Sequence, residues 1–426
     1  MIRLEENKRS TQDRAIEKLP LPKRVYIPLS QHLGKACSPK VSAGDAVFTG
    51  QKIAAVDAHV YAPIHSSVSG KVSAIQEWPH PVLGRAKAIV IDSDGSDSRQ
   101  LSAVSRQPEE IKKLNAEQIR NIVFEAGIVG MGGASFPTHI KLNPPHPVDT
   151  LIINGSECEP YLTADYRLMV ERTNEILLGV ELAVKCLGVK NVYIAIEDNK
   201  PVAVKLFQSA LRATPYAVRV LKSCYPQGGE KQLIKNVLGK EVPSGKLPFD
   251  IGVVVHNVAT IFAIYEAVCK GKPLYERVVT VTGSCVSSPK NILARIGTPI
   301  KELIDFCAPL KEEAAKIIIG GPMMGIAQYT DEVPVIKSTT GIILLNQEEA
   351  GDLEEDFCIR CGACVRECPA GLMPCLINLA SEKELWSQTK AYGAMDCIEC
   401  GLCSYVCPAN RRLVQSIKRA KLEVAR

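Results

Sequence analysis

Eight cysteines near the carboxyl end of the chain fall into two copies of one spacing. Each copy has three cysteines separated by two residues, then a fourth after three more residues, followed directly by proline. Three thiolates at this spacing can hold three corners of a cubane, while the fourth, turned away by proline, reaches the neighbouring cluster. The spacing therefore predicts two [4Fe-4S] clusters with crossed ligands. The first takes Cys358, Cys361, Cys364 and Cys407, and the second takes Cys397, Cys400, Cys403 and Cys368.

Tetrahedral zinc is the alternative for these cysteines, because paired Cys-x-x-Cys units also suit that ion. Zinc does not need three evenly spaced cysteines followed by Cys-Pro, twice, so the iron-sulfur interpretation is preferred. Two such clusters form a relay for single electrons and do not handle hydride themselves. The other cysteines are expected to be small buried hydrophobic residues. They are Cys37, Cys158, Cys186, Cys224, Cys269, Cys285, Cys307 and Cys375.

Length and composition define the class of protein that must position these cysteines. The chain has 426 residues, enough for about three domains of ordinary size. Hydrophobic residues make up 46% and charged residues 23%, which argues against a disordered or coiled-coil chain. The most apolar stretch, 251–268, contains His256 and Glu266, and the first 24 residues lack the apolar segment of a signal peptide. We expect a cytoplasmic protein with reduced thiols and no transmembrane segment.

The excess of basic residues is concentrated at the carboxyl end. The formal net charge is +5, and the segment Arg411–Arg426 is basic with Glu423 as its sole acid. This pattern is typical of a solvated helix face or of a surface that meets an acidic partner or lipid. Nucleic acid is not an expected partner, because the segment has no interleaved aromatic residues and no nucleic-acid-binding motif accompanies it.

Five segments of different character predict a multidomain α/β chain. Residues 1–24 are expected to be a ragged tail. Residues 25–105 predict a small β domain, whose stretch APIHSSVSGKVSAI resembles the hammerhead of barrel-sandwich carrier domains without the carrier lysine. Alternating strands and helices over residues 110–272 predict a Rossmann-like parallel α/β domain, in which ligands lie beyond the carboxyl ends of the strands. Residues 275–347 form a smaller α+β unit, and residues 352–426 form the helical cysteine domain. Polar linkers are expected at Asp92–Glu110 and Glu348–Asp356.

A glycine-rich loop follows the first helical stretch of the α/β domain. Gly127, Gly130, Gly132 and Gly133 lie in AGIVGMGGASFPTHIKL. The dinucleotide fingerprint is not satisfied, since Ser135 stands in place of the third glycine and a helix precedes the loop. Backbone without side chains can still press close to a phosphate or a flat ring, with Lys141 nearby for charge. A tight structural turn is the alternative interpretation.

Four segments, in order along the chain, resemble one flavoprotein family. GMGGASFPTHIK is similar to the GRGGAGFPTGxKW flavin loop of the NADH-oxidising subunit of respiratory complex I. INGSECEP is similar to its NxDExEP segment, YPQGGE to its YxxGEE and HNVAT to its NNVET. The unit after these segments resembles a soluble-ligand-binding β-grasp (SLBB) domain. With the β domain and the ferredoxin-like end, the chain from Pro28 to Asn410 resembles the RnfC family, the peripheral subunit of Rnf ion-translocating ferredoxin:NAD oxidoreductases.

The resemblance implies bound FMN, with NAD(H) as the substrate. The residues that it places around them are Gly130, Gly132, Gly133, Phe136, Lys141, Asn154, Ser156, Glu157, Glu159, Tyr225, Gly228, Glu230, Asn257 and Thr260. Phe136, Glu159 and Glu230 are the candidates for the nicotinamide nucleotide, with core packing or a helix cap as the alternative. Lys141 and Glu230 are the candidate catalytic residues. No Ser/Thr-Gly-Ala-Thr attachment segment is visible, so the flavin is expected to be noncovalent.

The combination of hydride donor and single-electron clusters requires a flavin between them, because a flavin accepts hydride and releases electrons singly. The resemblance implies a subunit at the cytoplasmic face of the cell membrane, working with membrane and iron-sulfur subunits and indirectly with ferredoxin. One alternative is a flavin and iron-sulfur cobalamin reductase of a metabolic microcompartment. Another is a non-enzymatic docking scaffold that carries clusters. The N-terminal β domain favours the first interpretation over the reductase.

Overall fold

Two small sheets packed face to face form the N-terminal unit (residues 24–98). The protein is described by a computed structural model over residues 2–98, 105–351 and 354–425. The first eight strands are β1 (Ile16–Lys18), β2 (Arg24–Pro28), β3 (Ser38–Pro39), β4 (Ala46–Val47), β5 (Lys52–Ala55), β6 (Ile64–His65), β7 (Gly70–His80) and β8 (Gly84–Ser93). Strands β2, β8, β7 and β4 form one antiparallel sheet, and β3, β5 and β6 form the other. Ile27, Ile53 and Ile89 are fully buried in their shared core, which confirms the barrel-sandwich-like prediction.

Both expected linkers fall partly outside the described residues. The linker Asp92–Glu110 includes residues 99–104, and the linker Glu348–Asp356 includes residues 352–353. The described ends of these segments already belong to regular elements. Strand β8 continues to Ser93, and the next helix begins at Pro108.

A parallel four-stranded sheet forms the centre of the α/β unit (residues 105–274). Its elements are α1 (Pro108–Lys113), α2 (Ala116–Glu125), α3 (Thr138–Lys141), β9 (Thr150–Gly155), α4 (Ala164–Glu171), α5 (Thr173–Leu187), β10 (Asn191–Glu197), α6 (Pro201–Ala210), β11 (Ala217–Leu221), α7 (Glu230–Leu238), a 3-10 turn (Pro248–Ile251), β12 (Val253–Asn257) and α8 (Val258–Lys270). The strand order is β11-β10-β9-β12. Apolar side chains on both faces contact helices, which confirms the predicted Rossmann-like layers.

The helix expected from Arg167 to Leu187 is divided in the structure. Arg172 separates α4 from α5, with backbone angles of −132° and 32° that no α-helix uses. The Thr173 hydroxyl donates to the Met169 carbonyl oxygen at 2.6 Å across the break. Hydrophobic periodicity continues through this point, so the sequence pattern alone could not reveal the change of direction.

A mixed six-stranded sheet forms the third unit (residues 275–351). Its elements are β13 (Glu276–Thr282), β14 (Lys290–Arg295), α9 (Ile300–Phe306), β15 (Lys316–Ile319), β16 (Ile326–Gln328), β17 (Gly341–Leu345) and α10 (Gln347–Ala350). The strand order is β1-β14-β13-β17-β15-β16, so the first strand of the chain lies at one edge of this sheet. Helix α9 packs against the sheet through Leu303 and Ile304.

The N-terminal segment (residues 2–18) is not the expected ragged tail. Strand β1 pairs in parallel with β14, and Thr11 is fully buried. Lys8 is also buried, because its Nζ donates to the Glu157 and Leu162 carbonyl oxygens at 2.6 and 2.7 Å. These contacts span about 150 positions of sequence. Charge-rich composition predicted exposure, but backbone acceptors supplied by the α/β unit satisfy the buried ammonium group.

Short helices form the cysteine unit (residues 354–425). They are α11 (Ala363–Arg366), α12 (Pro374–Glu382), α13 (Trp386–Ala391), a 3-10 turn (Ala394–Asp396), α14 (Leu402–Tyr405) and α15 (Leu413–Ala425). The basic helix α15 forms ion pairs within this unit, including Arg419 with Glu384 at 2.5 Å and Lys418 with Glu399 at 3.9 Å. Within the three described ranges, no helix is both long and apolar enough to cross a membrane.

Removing one partner of a buried ion pair should destabilise the α/β unit. Lys200 Nζ and Glu197 Oε2 lie 2.7 Å apart, and each side chain is 2% exposed. We expect Glu197→Ala to lower the free energy of unfolding by about 3–5 kcal/mol, because Lys200 would keep an uncompensated buried charge. Urea denaturation followed by circular dichroism measures this loss. The double variant Glu197→Leu with Lys200→Met should recover most of it, and equal instability of the single and double variants would contradict the explanation.

Candidate flavin and iron-sulfur sites

The strand order creates a crevice between β9 and β12. From β9 the chain moves to β10 and β11 on one side, then returns to add β12 on the other side. In such sheets, ligands bind at the carboxyl ends of the two strands where the order reverses. Asn154 is the penultimate residue of β9, Asn257 is the last residue of β12, and the two lie directly opposite each other in the register. The structure thus brings two of the predicted cofactor residues to one edge of the sheet.

Asn154 and Asn257 hold the loops around this crevice. Asn154 Nδ2 donates to the Gly228 carbonyl oxygen at 2.9 Å, which joins the INGSECEP and YPQGGE segments. Asn257 Nδ2 donates to Asp165 Oδ2 at 2.6 Å. Its Oδ1 accepts from the Thr260 amide at 3.3 Å and so caps helix α8. Asp165 was not a predicted site residue, and no sequence motif indicated it.

The glycine loop is anchored at its base and open at its tip. The Met131 amide donates to the hydroxyl of the fully buried Thr260 at 2.9 Å, and the Gly130 amide donates to the Phe136 carbonyl oxygen at 2.8 Å. A Cβ on Gly132 would lie 3.2 Å from Asn257 Cβ, whereas one on Gly133 would meet nothing within 4 Å. The exposed glycines therefore form a rim of bare backbone beside open space, which fits a ring system or a phosphate.

Lys141 and Glu230 form an ion pair across this region. Lys141 Nζ and Glu230 Oε1 lie 2.7 Å apart, although the residues are 89 positions apart in sequence. Their side chains are 29% and 40% exposed. Glu230 is the first residue of α7, where its charge complements the helix dipole. The structure brings the two candidate catalytic residues together at an accessible place, and Phe136 is half-buried near the same loop.

Ser156 and Glu157 have different surroundings. The Ser156 hydroxyl is buried and has no hydrogen-bond partner in the described part of the chain, so it is available to a ligand. The Glu157 carboxylate accepts from the Asp165 and Tyr166 amides at 2.7 and 3.1 Å. Both of its oxygens therefore cap helix α4, and its place beside the flavin phosphate or ring stays a prediction. The orphaned hydroxyl and the bare glycine rim together fit the expected cofactor.

Glu159 and Tyr225 lie where three units meet. Glu159 is half-buried and accepts from the Met323 and Met324 amides at 3.1 and 2.9 Å. The Tyr225 hydroxyl lies 3.3 Å from Glu159 Oε1 and 2.8 Å from the Cys400 carbonyl oxygen. Burial raises the pKa of Glu159 to about 7. These two residues contact the cysteine unit and the third unit, and their contact with flavin and nucleotide stays a prediction.

The second set of cysteines encloses one small cavity. Cys368 and Pro369 of the first motif line it together with Cys397, Cys400 and Cys403 of the second motif. Burial raises the pKa of Cys403 to about 12, with the neighbouring thiols, including that of Cys368, as further causes. The structure thus brings together the four predicted ligands of the second cluster.

The first set of cysteines lies nearer the surface. Burial raises the pKa of Cys364 to about 11, with Cys375 and Cys407 as further causes, so Cys407 lies near the first motif as the crossing requires. Cys358 and Cys361 are exposed, whereas Cys400 and Cys403 are buried. Cys375, expected to be a buried hydrophobic residue, is half-buried beside Cys364. The first cluster site therefore opens to solvent, and the second faces the interior.

Four family models match successive parts of the chain. They are the RnfC barrel sandwich hybrid domain (residues 2–96), the Nuo51 FMN-binding domain (123–266), the SLBB domain (278–327) and the 4Fe-4S dicluster domain (352–408). The fold and the sites define the class of protein: a flavin and iron-sulfur oxidoreductase that uses FMN, NAD(H) and two [4Fe-4S] clusters. The dicluster match also decides between iron-sulfur and zinc for the cysteines.

Curated relatives identify the family. The chain is 47% identical to a subunit of the proton-translocating ferredoxin:NAD(+) oxidoreductase complex of Clostridium ljungdahlii, over 98% of this chain and 92% of that one. It is 45% identical to the corresponding subunit of the Na(+)-translocating complex of Acetobacterium woodii, over 95% and 91%. The chain belongs to the RnfC family. An NAD+-reducing [NiFe]-hydrogenase shares the fold at a TM-score of 0.50 and 18% identity, over 74% of this chain and 63% of that one.

Iron content can test the crossed ligation. We expect Cys400→Ala to lose the second cluster and to retain about four of about eight iron atoms. In that background, Cys368→Ala should remove no further iron, because its cluster is already lost. Cys407→Ala should remove the rest, because it ligates the first cluster. Iron and acid-labile sulfide are measured after anaerobic reconstitution, and the reverse pattern would show that each motif holds its own cluster.

Proposed function

We propose that this chain is the peripheral electron-transfer subunit of a membrane-bound, ion-translocating ferredoxin:NAD oxidoreductase. It exchanges hydride between NAD(H) and noncovalently held FMN and relays single electrons through two [4Fe-4S] clusters to or from partner subunits. One observation carries the proposal. Tyr225, on the loop before α7 and beside the flavin crevice, contacts the Cys400 carbonyl oxygen at 2.8 Å, so the sites for hydride and single electrons are contiguous.

The residues of the chain position the reactants. Bound FMN supplies the exchange between a two-electron hydride donor and one-electron acceptors. The rim from Gly130 to Gly133, held by Thr260, presents backbone to the flavin, and the Ser156 hydroxyl offers it a hydrogen-bonding group. The Lys141 and Glu230 pair borders the accessible side, where the nicotinamide must approach. Fixing the reacting atoms at near-attack distance provides most of the rate, and no side chain has to transfer a proton.

The burial of the cysteines gives the clusters an order. Cys400 is buried against Tyr225 of the α/β unit, which supports the second cluster as the neighbour of the flavin. Cys358 and Cys361 are exposed, and the adjoining Phe357 is 87% exposed. The first cluster is therefore the point at which electrons pass to or from a partner subunit.

The names of the relatives support the proposed location and partners. Their names describe subunits of complexes that translocate protons or Na(+) and that use ferredoxin and NAD(+). We assign this chain to the cytoplasmic face of the cell membrane, as a peripheral subunit beside the membrane and iron-sulfur subunits of the same complex. Ferredoxin is the opposite terminus of the electron path and is reached through those subunits. The family membership favours this function over a microcompartment cobalamin reductase.

Variants of the ion pair separate an enzyme from a docking scaffold. We expect Lys141→Ala and Glu230→Ala to lower NADH:ferricyanide activity by about tenfold or more, with cluster absorbance retained, because the positioning of flavin and nucleotide is lost. Glu241→Ala is the matched control, since Glu241 forms an exposed pair with Lys235 just beyond the far end of α7. Denaturing the wild-type protein should release soluble flavin. Full activity in both ion-pair variants would contradict the role given to this pair, and absence of activity in the wild type would support the scaffold.

A further inference from the structure

The loop of the second cluster is clamped between two other units. On one side lies the loop before α7, where Tyr225 is 1% exposed. On the other side lies the turn 321–325 of the third unit. A Cβ on Gly401, whose φ is +81°, would lie 2.5 Å from the Met323 carbonyl oxygen. Buried Tyr225, Cys400 and Leu402 pack together at this place. The backbone next to the cluster ligand Cys400 is therefore fixed by residues outside the cysteine unit.

A chain of hydrogen bonds runs through this clamp. Glu159 accepts from two amides of the turn and lies 3.3 Å from the Tyr225 hydroxyl. The hydroxyl lies 2.8 Å from the Cys400 carbonyl oxygen. A tyrosine hydroxyl has one proton but can accept as well as donate. Tyr225 can therefore donate to Cys400 while accepting from a protonated Glu159, whereas an ionised Glu159 competes with Cys400 for the same proton.

The charges around Glu159 allow both states near neutral pH. Burial raises the pKa of Glu159 to about 7. Its amide donors, the Tyr225 hydroxyl and the charge of Lys8 in the N-terminal segment act in the opposite direction and lower it. Cys158, on the same loop, stays neutral because burial raises its pKa to about 12. The turn 321–325 contains no titratable side chain. In the cluster loop, Glu399 is paired with Lys418 and Lys421.

We propose that Glu159 and Tyr225 form a hydrogen-bonded relay that positions the Cys400 loop and couples the second cluster to the proton on Glu159. The inference rests on the proposed function and adds a proton-linked control of one cluster. Both are positioning residues, since they act on the cluster through the Cys400 backbone. Hydrogen bonds and nearby charges are established determinants of cluster potentials.

Tyr225→Phe tests the relay through a potential rather than through activity. Below about pH 7, where Glu159 is protonated, the positive end of the Tyr225 hydroxyl dipole faces the Cys400 loop, so its loss should make the second cluster harder to reduce. We expect at least a tenfold change in the reduction equilibrium, about 59 mV for one electron. The first cluster should be unchanged. The measurement is an EPR-monitored redox titration of the holoprotein, with signals assigned by the Cys400→Ala variant.

Tyr329→Phe is the matched control for this titration. The Tyr329 hydroxyl also donates to a backbone carbonyl oxygen, that of Gly84, at 2.8 Å, and also joins two units. This hydrogen bond joins the third unit to the N-terminal unit and does not reach the cysteine unit, so both clusters should keep their potentials. A Tyr225→Phe protein whose second-cluster potential matches that of this control would overturn the proposal, even if its flavin content falls.

Glu159→Gln gives an independent test, which remains available if Tyr225→Phe does not assemble. In the wild type, the potential of the second cluster should fall as pH rises through about 7, because ionised Glu159 disfavours an added electron. The variant cannot ionise, so its potential should stay near the wild-type low-pH value at every pH. A wild-type potential that does not change with pH, or a pH dependence of the potential that persists in the variant, would contradict the proposed relay. Wild-type protein that NADH fails to reduce would instead overturn the proposed function.

Discussion

The contact between the carboxyl edge of the parallel sheet and the second cysteine loop is the constraint on which this molecule depends. A hydride acceptor and a single-electron relay cooperate only if they are adjacent, so two units with separate cores must meet in fixed geometry. The strand order places Asn154 and Asn257 at the reversal point, and both use their amides to order the surrounding loops. Tyr225, on one of those loops, donates its hydroxyl proton to the Cys400 carbonyl oxygen and so links the α/β unit to the second cysteine loop.

Support for this edge comes from distant parts of the sequence. Lys8 donates to two backbone carbonyl oxygens in the loop after β9. Arg277 of the third unit donates to the Lys337 carbonyl oxygen near the glycine loop. Arg277 Nη2 also lies 3.5 Å from the Met131 carbonyl oxygen. Buried cations that satisfy backbone acceptors hold loops without occupying the crevice itself. The N-terminal segment and the third unit therefore act as a frame for the flavin loops.

The sequence predicted what depends on local pattern and spacing. Strand β11 and helix α7 lie at the expected positions. Cys368 lies with the second motif and Cys407 near Cys364 of the first, while the crossed ligation itself stays a prediction. Features that depend on long-range partners could not be predicted. Strand β1 of the N-terminal segment is ordered by its pairing with β14. Glu157 caps helix α4, because that helix begins at Ala164, close to the Glu157 carboxylate. Similar motifs identified the loops that meet at the crevice, but not the long-range partners of their side chains.

The order of cluster reduction shows whether electrons from NADH reach the second cluster before the first. Holoprotein is mixed with NADH anaerobically, frozen at successive times and examined by EPR. We expect the second cluster, which Cys400 ligates, to be reduced before the first. Cys400→Ala protein should retain a first cluster that NADH reduces far more slowly. Reduction of the first cluster ahead of the second, or at an undiminished rate in that variant, would show that electrons do not pass through the second cluster.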